Sequence, residues 1–291
     1  MSIEEFGDIH DVVVIGAGAA GVGVALALRH AGIERYVVLE RDRIGASFAN
    51  WPAETRFITP SFPTNSVGML DLNSIAIGVS PGWSMEVEHP SGQHYAEHLR
   101  AVAEHFELPV IEGVAVNNVI QTGKHFLIET SETALRTKHV IWATGEFQFP
   151  QAGSFPGSEL CRHTATVDSY ETLDADDLVF IIGGFESGID AAYHLACNNK
   201  ESWVFDAGAP WENNASDPSV AVSPFTMERM REAVFGEHVT LNPNAPVVSV
   251  TRHDGDYIVT TKNGASYRTS TQPLYAGGFN GCHGLIREMF E

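Results

Sequence analysis

Residues Val179–Asp190 read VFIIGGFESGID: an apolar, β-prone run, a pair of glycines, then the start of a segment with helical periodicity. A strand that turns on glycine into a helix is the opening of a nucleotide-phosphate site, yet Phe185 stands where such a turn usually carries its second glycine. The start of the chain explains the anomaly. Asp11–Arg41, DVVVIGAGAAGVGVALALRHAGIERYVVLER, and Leu178–Gly208, LVFIIGGFESGIDAAYHLACNNKESWVFDAG, align without a gap through the turn. Each has an apolar strand, two glycines five apart (Gly16 and Gly21; Gly183 and Gly188), an apolar helix, a second strand and then an acid, Glu40 or Asp206.

These residue types answer chemical needs. The first glycine makes the tight turn and the third lets the helix pack on the sheet. The middle one, Gly18, clears volume so that backbone N–H groups around Ala19 and Ala20 and the positive helix end meet a pyrophosphate. The acid about 20 residues on accepts from the ribose hydroxyls. In the second copy Gly183, Gly184, Phe185, Glu186, Ser187 and Gly188 form the turn, with Gly184 relaxing the backbone and Ser187 adding a hydroxyl donor. The phenyl ring is expected to swing toward an interdomain cleft and to loosen nucleotide binding. Two such units predict an α/β chain of two Rossmann-like dinucleotide-binding domains, one for a flavin dinucleotide and one for a nicotinamide dinucleotide, with hydride passing between them.

The two apolar segments that end in small residues place the domain crossings. Ile141–Gly145, IWATG, and Leu274–Gly278, LYAGG, are strand ends at which Thr144, Gly145 and Gly278 lie close to cofactor. The first domain is expected over 1–147 and again from 273 to 291, with the second inserted at 148–272. Between the copies, Tyr95, Leu99, Val102, Ala103 and Phe106 form a helical stripe, and His94, His98 and His105 read as its solvated face rather than as metal ligands. A hairpin follows near Gly123. The unpatterned stretch Gly208–Thr226 is expected to line the space between the domains.

Composition narrows the partners. At 291 residues the chain is long enough for two domains, and 17 Lys+Arg against 37 Asp+Glu give a net charge of -20, which disfavours nucleic acid and anionic membranes. The longest apolar run, Val12–Leu28, is broken by four glycines and spans no membrane, and the acidic N-terminus is no secretory signal. Three dispersed cysteines, Cys161, Cys197 and Cys282, suit a reducing compartment and offer no CxxC. A cytoplasmic protein acting on a small molecule follows, with a homo-oligomer left open.

With these features assembled, the sequence resembles the two-domain flavoproteins of the flavin-containing monooxygenase and thioredoxin-reductase type, most of all small bacterial flavin monooxygenases. The resemblance rests on VVVIGAGAAG, VVLER, ASFANWP, TPSFPTNSVGM, HYAEHL, IWATG, IIGGFESGIDAA and YAGGFNG, and covers nearly the whole chain. It implies that Gly16, Gly18 and Gly21 hold the FAD pyrophosphate and Glu40 its ribose, and that Arg41, Ser47 and Trp51 continue along the flavin. It also makes Asn65, in PTNSVGM, the catalytic candidate: an amide facing the reactive edge of the flavin and fixing the nicotinamide. The activity implied is an FAD-dependent NAD(P)H oxidoreductase that passes electrons to oxygen, in the manner of a monooxygenase, or to another acceptor. A flavin or thiol-protein reductase without its own disulfide and a nucleotide-binding protein lacking turnover are the alternatives.

The sequence departs from the family in three ways. The FxGxxxH fingerprint appears only as FPGSELCRH, with His163 two places late; the CxxC is absent; and the family usually continues past YAGGFNG, so the chain is expected to be shortened at its C-terminus. Asp206 favours NADH over NADPH, since it accepts from a free 2′-hydroxyl and repels a 2′-phosphate; Arg229 and Arg231 are the cations that can fold back to receive one.

Overall fold

The computed structural model describes residues 9–62, 70–175, 177–217, 219–282 and 287. The chain divides into two compact units, Met1–Asn50 with Thr59–Phe149 and Gly281–Glu291, and Trp51–Ile58 with Pro150–Asn280. The first holds β1 (His10–Ile15), α1 (Ala19–His30), β2 (Tyr36–Leu39), α2 (Ala46–Ala49), α3 (Pro81–Met85), α4 (Gly92–His105), β3 (Val110–Ile111), β4 (Val116–Thr122), β5 (His125–Thr130) and β6 (Ala134–Trp142). The second holds β7 (Arg162–His163), β8 (Val179–Ile182), α5 (Glu186–Cys197), β9 (Ser202–Phe205), α6 (Pro224–Met230), α7 (Ala233–His238), β10 (Val239–Asn242), β11 (Val247–His253), β12 (Asp256–Thr261), β13 (Ser266–Thr269) and β14 (Leu274–Tyr275).

The sheets repeat as the sequences do. In the first unit the order is β3-β2-β1-β6-β5-β4, parallel through β6 and antiparallel beyond it; in the second, the parallel sheet is β10-β9-β8-β14-β7 and the antiparallel meander β11-β12-β13 stands apart. Strand alternation sorts the second core into two faces. Val179, Ile181 and Val204 pack with Ile189, Ala192 and Leu195 of α5, whereas Phe180, Ile182 and Phe205 pack with Val250 and Val259 of the meander. Burial on both faces is why β1 and β8 read as unbroken apolar runs. In the first unit Val13, Ile15, Val37 and Leu39 meet Val119, Ile128 and Leu135 in the same way.

The strand pairing moves one expected boundary. Leu274 and Tyr275 pair with Ile181 and Ile182 of β8, so the strand ahead of Gly277 completes the second sheet, and the division falls after Asn280 rather than near Pro273. The reason is the repeat itself: the last strand of the β4-β5-β6 run in the first copy, and the strand that follows the meander in the second, close against the first strand of their unit, at Ala143 N–H to Ile15 O (2.8 Å) and at Ala276 N–H to Ile182 O (2.8 Å).

The helical stripe forms as α4, with Gly123 at φ +65° in the β4–β5 turn. His94 and His105 are exposed, as expected of a solvated face, but His98 is buried. It lies one residue from Leu99 and three from Tyr95, on the packed side, and its Nδ1 meets Ser84 Oγ at 2.6 Å. No cluster able to hold a metal ion occurs among the described residues. Among them, too, no helix is long and apolar enough to cross a membrane.

Candidate functional site

In the first unit, Gly16 leaves β1 at φ +103°, where a side chain is strained, and an added Cβ would fall 2.5 Å from Ala143 O. A Cβ on Gly21 would fall 1.8 Å from Gly16 O. Both glycines are therefore fixed by packing within the protein. Gly18 differs: its φ of -78° and ψ of -168° suit any residue, and among the described residues a Cβ there meets nothing within 4 Å. The middle glycine faces open space, the feature that a bound phosphate requires and internal packing does not.

The acid completes the loop. Glu40 Oε2 accepts from Ala17 N–H at 2.7 Å and Oε1 from Asp42 N–H at 2.9 Å. A carboxylate has about four acceptor sites, so ribose hydroxyls still find lone pairs. Thr144 Oγ1 is buried with no hydrogen-bond partner among the described residues, one residue beyond the carbonyl that touches the Gly16 turn. Ala19 and Ala20 open α1, whose first turn holds no acid. An open cradle, an orphaned hydroxyl and an uncompensated helix start fit the pyrophosphate of FAD.

The second turn copies the first almost atom for atom. Gly183 has φ +103°, and its Cβ would fall 2.6 Å from Ala276 O; that of Gly188 would fall 1.9 Å from Gly183 O. Asp206 Oδ2 accepts from Gly184 N–H at 2.7 Å and Oδ1 from Gly208 N–H at 2.7 Å, as Glu40 does in the first unit. Gly145 and Gly278 follow the two closing strands at φ +66° and +77°.

Three side chains separate the copies. Phe185 keeps the extended backbone of Gly18 (φ -87°, ψ -162°) and is half-buried, packed against the hydrophobic core of the second unit. Phe185→Gly is accordingly expected to lower the stability of this unit by about 2 kcal/mol, read from the unfolding midpoint. Gly184 is required because a Cβ would fall 2.3 Å from Trp211 Cζ3. Glu186, the first residue of α5, accepts from Ser223 N–H and Oγ–H (3.3 Å) and from Thr226 Oγ–H (2.5 Å) at the start of α6. Trp211, Ser223 and Thr226 all come from the stretch 208–226, which sequence patterning left featureless. The one available signal was Ser223-Pro224, a helix cap followed by proline.

The remaining candidates scatter. Arg41 is exposed after β2, Ser47 lies on α2, Ser187 is exposed on α5, and Asn65 falls outside the described residues. Trp51 belongs to the segment 51–58 of the second unit, where its ring lies 5.0 Å from that of Phe57. That segment is fastened by Glu54, which accepts from Ser169 Oγ–H (2.5 Å) and the Tyr170 N–H (3.0 Å), and by Thr55, which donates to Asp190 at 2.7 Å.

His163 supports the closing turn of the second copy. Its Nδ1 accepts from Ala165 N–H at 3.1 Å, which leaves Nε2–H to donate to Gly278 O at 3.0 Å. Burial lowers its pKa, against a smaller upward effect of the Gly278 bond, and burial likewise lowers that of His98. A histidine depressed in the folded state contributes stability that is full above its unfolded value of about 6.5 and is lost as pH falls through the folded value. The melting temperature is thus expected to decline as pH is lowered from 7 toward 5, and the decline to be smaller in His163→Gln.

All three cysteines are free, and burial pushes the Cys161 thiol up to about 12, so it is inert at neutral pH.

A family model described as pyridine nucleotide-disulphide oxidoreductase matches residues 13–291. An uncharacterized oxidoreductase CzcO of Bacillus velezensis is 26% identical over 205 residues, covering 66% of this chain and 56% of that protein. The chain spans about half the length of the curated relatives it matches. Among solved structures, the bacillithiol disulfide reductase Bdr (YpdA) from Staphylococcus aureus superposes with a TM-score of 0.77 at 21% identity, over 97% of this chain and 80% of that one. A flavin-containing monooxygenase from Stenotrophomonas maltophilia does so with a TM-score of 0.70 at 18% identity, over 95% and 80%. Both share the fold with this chain.

Proposed function

The chain belongs to the pyridine nucleotide-disulphide oxidoreductase family, and on that premise we propose that it is an FAD-dependent NAD(P)H oxidoreductase. The first unit would hold FAD and the second a nicotinamide nucleotide as hydride donor. The observation that carries this reading is the open volume over Gly18 beside the orphaned Thr144 hydroxyl, in a loop whose other two glycines are explained by packing alone. When bound, FAD supplies a two-electron acceptor that returns electrons to oxygen or to another oxidant. This chain's residues bind and orient: Gly16–Gly21 and the start of α1 hold the pyrophosphate, Glu40 the ribose, and Asn65 is the proposed amide at the flavin edge.

The donor we propose is NADH. Asp206 is held by hydrogen bonds from the Gly184 and Gly208 N–H groups, and a carboxylate in this role would repel a 2′-phosphate. Of the two arginines expected to receive such a phosphate, Arg229 is buried in an ion pair with Asp190 at 2.8 Å and is not available. kcat/KM for NADH should exceed that for NADPH by tenfold or more.

The electron acceptor is external. Three free cysteines, one of them inert, supply no internal disulfide, and the family resemblance favours oxygen with a small nucleophilic substrate, as in a monooxygenase. The test is to bleach the flavin band with NADH under anaerobic conditions, then admit oxygen and measure peroxide. A substrate that lowers peroxide release in proportion to its own oxygenation supports the monooxygenase. Full conversion of oxygen to peroxide with every nucleophile tried, together with turnover on a disulfide, would replace it with the reductase.

A further inference from the structure

The two turns offer an internal control, because their backbones coincide and their charges do not. In the first copy no acid occupies the first turn of α1, and no atom of the described residues lies within 4 Å of a Cβ placed on Gly18. In the second copy α5 begins with Glu186, half-buried, with both carboxylate oxygens engaged by Ser223 and Thr226. The carboxylate thus spans the starts of two helices, α5 and α6, and places a fixed negative charge at the end of α5 to which a dinucleotide brings its pyrophosphate.

We propose that Glu186 is the residue that sets the affinity of the second unit for its nicotinamide nucleotide, by holding a carboxylate against Ser223 and Thr226 where it repels the incoming pyrophosphate. The inference rests on the assignment of this unit to NADH. Its chemical consequence is a loosely held donor and ready release of the oxidised nucleotide, while the first unit, which carries no such charge, retains its dinucleotide.

The experiment compares the whole wild-type protein with Glu186→Gln, which keeps an acceptor for the Ser223 and Thr226 donors and removes the charge. Binding of NADH is titrated by nucleotide fluorescence at low and high salt. At low salt Glu186→Gln is expected to bind NADH about fivefold more tightly, the gain shrinking in high salt as screening weakens the wild-type repulsion. Reduced nicotinamide riboside, which has no phosphate, should bind both proteins alike. Glu186→Ser, which also loses the reach to α6, serves as the second variant and should shift NADH affinity in the same direction. An unchanged NADH affinity in both variants overturns the inference and leaves the NADH assignment standing. Equal tightening for the phosphate-free compound overturns it too, by showing a steric effect. If neither wild type nor variants bind NADH, the assignment of the unit falls and takes the inference with it.

Discussion

Gly18→Val is expected to yield a folded protein of nearly unchanged stability that has lost its flavin. The backbone at Gly18 lies in the extended region open to any residue, and among the described residues a Cβ there meets nothing within 4 Å, so neither backbone conformation nor described packing calls for the glycine. Among the described residues no protein atom lies within 4 Å of the added Cβ, so a ligand is the body that the new side chain is expected to meet. Loss of close approach between the loop N–H groups and the pyrophosphate should weaken flavin binding about a hundredfold, some 2.7 kcal/mol. Gly21→Ala is the contrasting variant: its Cβ would lie 1.8 Å from the Gly16 carbonyl oxygen, within a turn whose strands are buried, and no soluble folded protein is expected. The two measurements are the unfolding midpoint and the flavin absorbance of the purified protein. A Gly18→Val protein that keeps its flavin would remove the pyrophosphate from this loop; one that fails to fold would mean that the glycine serves packing after all.

That contrast also marks how far the sequence speaks. The duplicated strand–turn–helix was legible because glycine spacing and apolar runs follow directly from backbone geometry, and the acids Glu40 and Asp206 fall where the next strand ends. The boundary near Pro273 was misplaced although its signal was present: LYAGG matches IWATG as IIGGFESG matches VIGAGAAG, and reading it as part of the repeat assigns β14 to the second unit. His98 was misread because charge and polarity argued for solvent, whereas its place next to Leu99 on the helix decided otherwise. Trp211 over Gly184, Ser223 and Thr226 on Glu186, and Arg229 on Asp190 were not legible at all. They join positions tens of residues apart through irregular chain, and no local periodicity reports such pairs.

Removing one partner of the buried Asp190–Arg229 pair should cost more than any other single change in the second unit that leaves its glycines intact. Asp190 accepts from Arg229 Nη1 at 2.8 Å and from Thr55 Oγ1 at 2.7 Å, with His194 Nε2 at 3.4 Å, while the guanidinium lies 4.9 Å from the Tyr193 ring centroid and 4.5 Å from that of Phe225. Arg229 is 5% exposed and Asp190 6%, so either charge left alone is a buried charge. Arg229→Met, which keeps most of the packing volume, is expected to lose about 3 to 5 kcal/mol; Asp190→Leu combined with Arg229→Met should recover much of that loss, since an apolar pair has no charge to desolvate. A coupling energy above about 2 kcal/mol in this double-mutant cycle is the quantitative expectation. The pH dependence gives an independent check. Burial pushes the Asp190 carboxyl upward, but the hydrogen bond and charge of His194 and the charge of Arg229 outweigh it and hold the group below its ordinary 3.8. Its contribution is therefore full above 3.8 and is lost as pH falls through the lower, folded value. Without Arg229 one of the opposing charges is gone, so the acid limb of the stability curve should move to higher pH in Arg229→Met. A cost below 1 kcal/mol, additive substitutions or an unmoved acid limb would each mean that solvent reaches this pair, and that the segment 51–58 is fastened to its unit by Glu54 rather than through Thr55 and the buried charges.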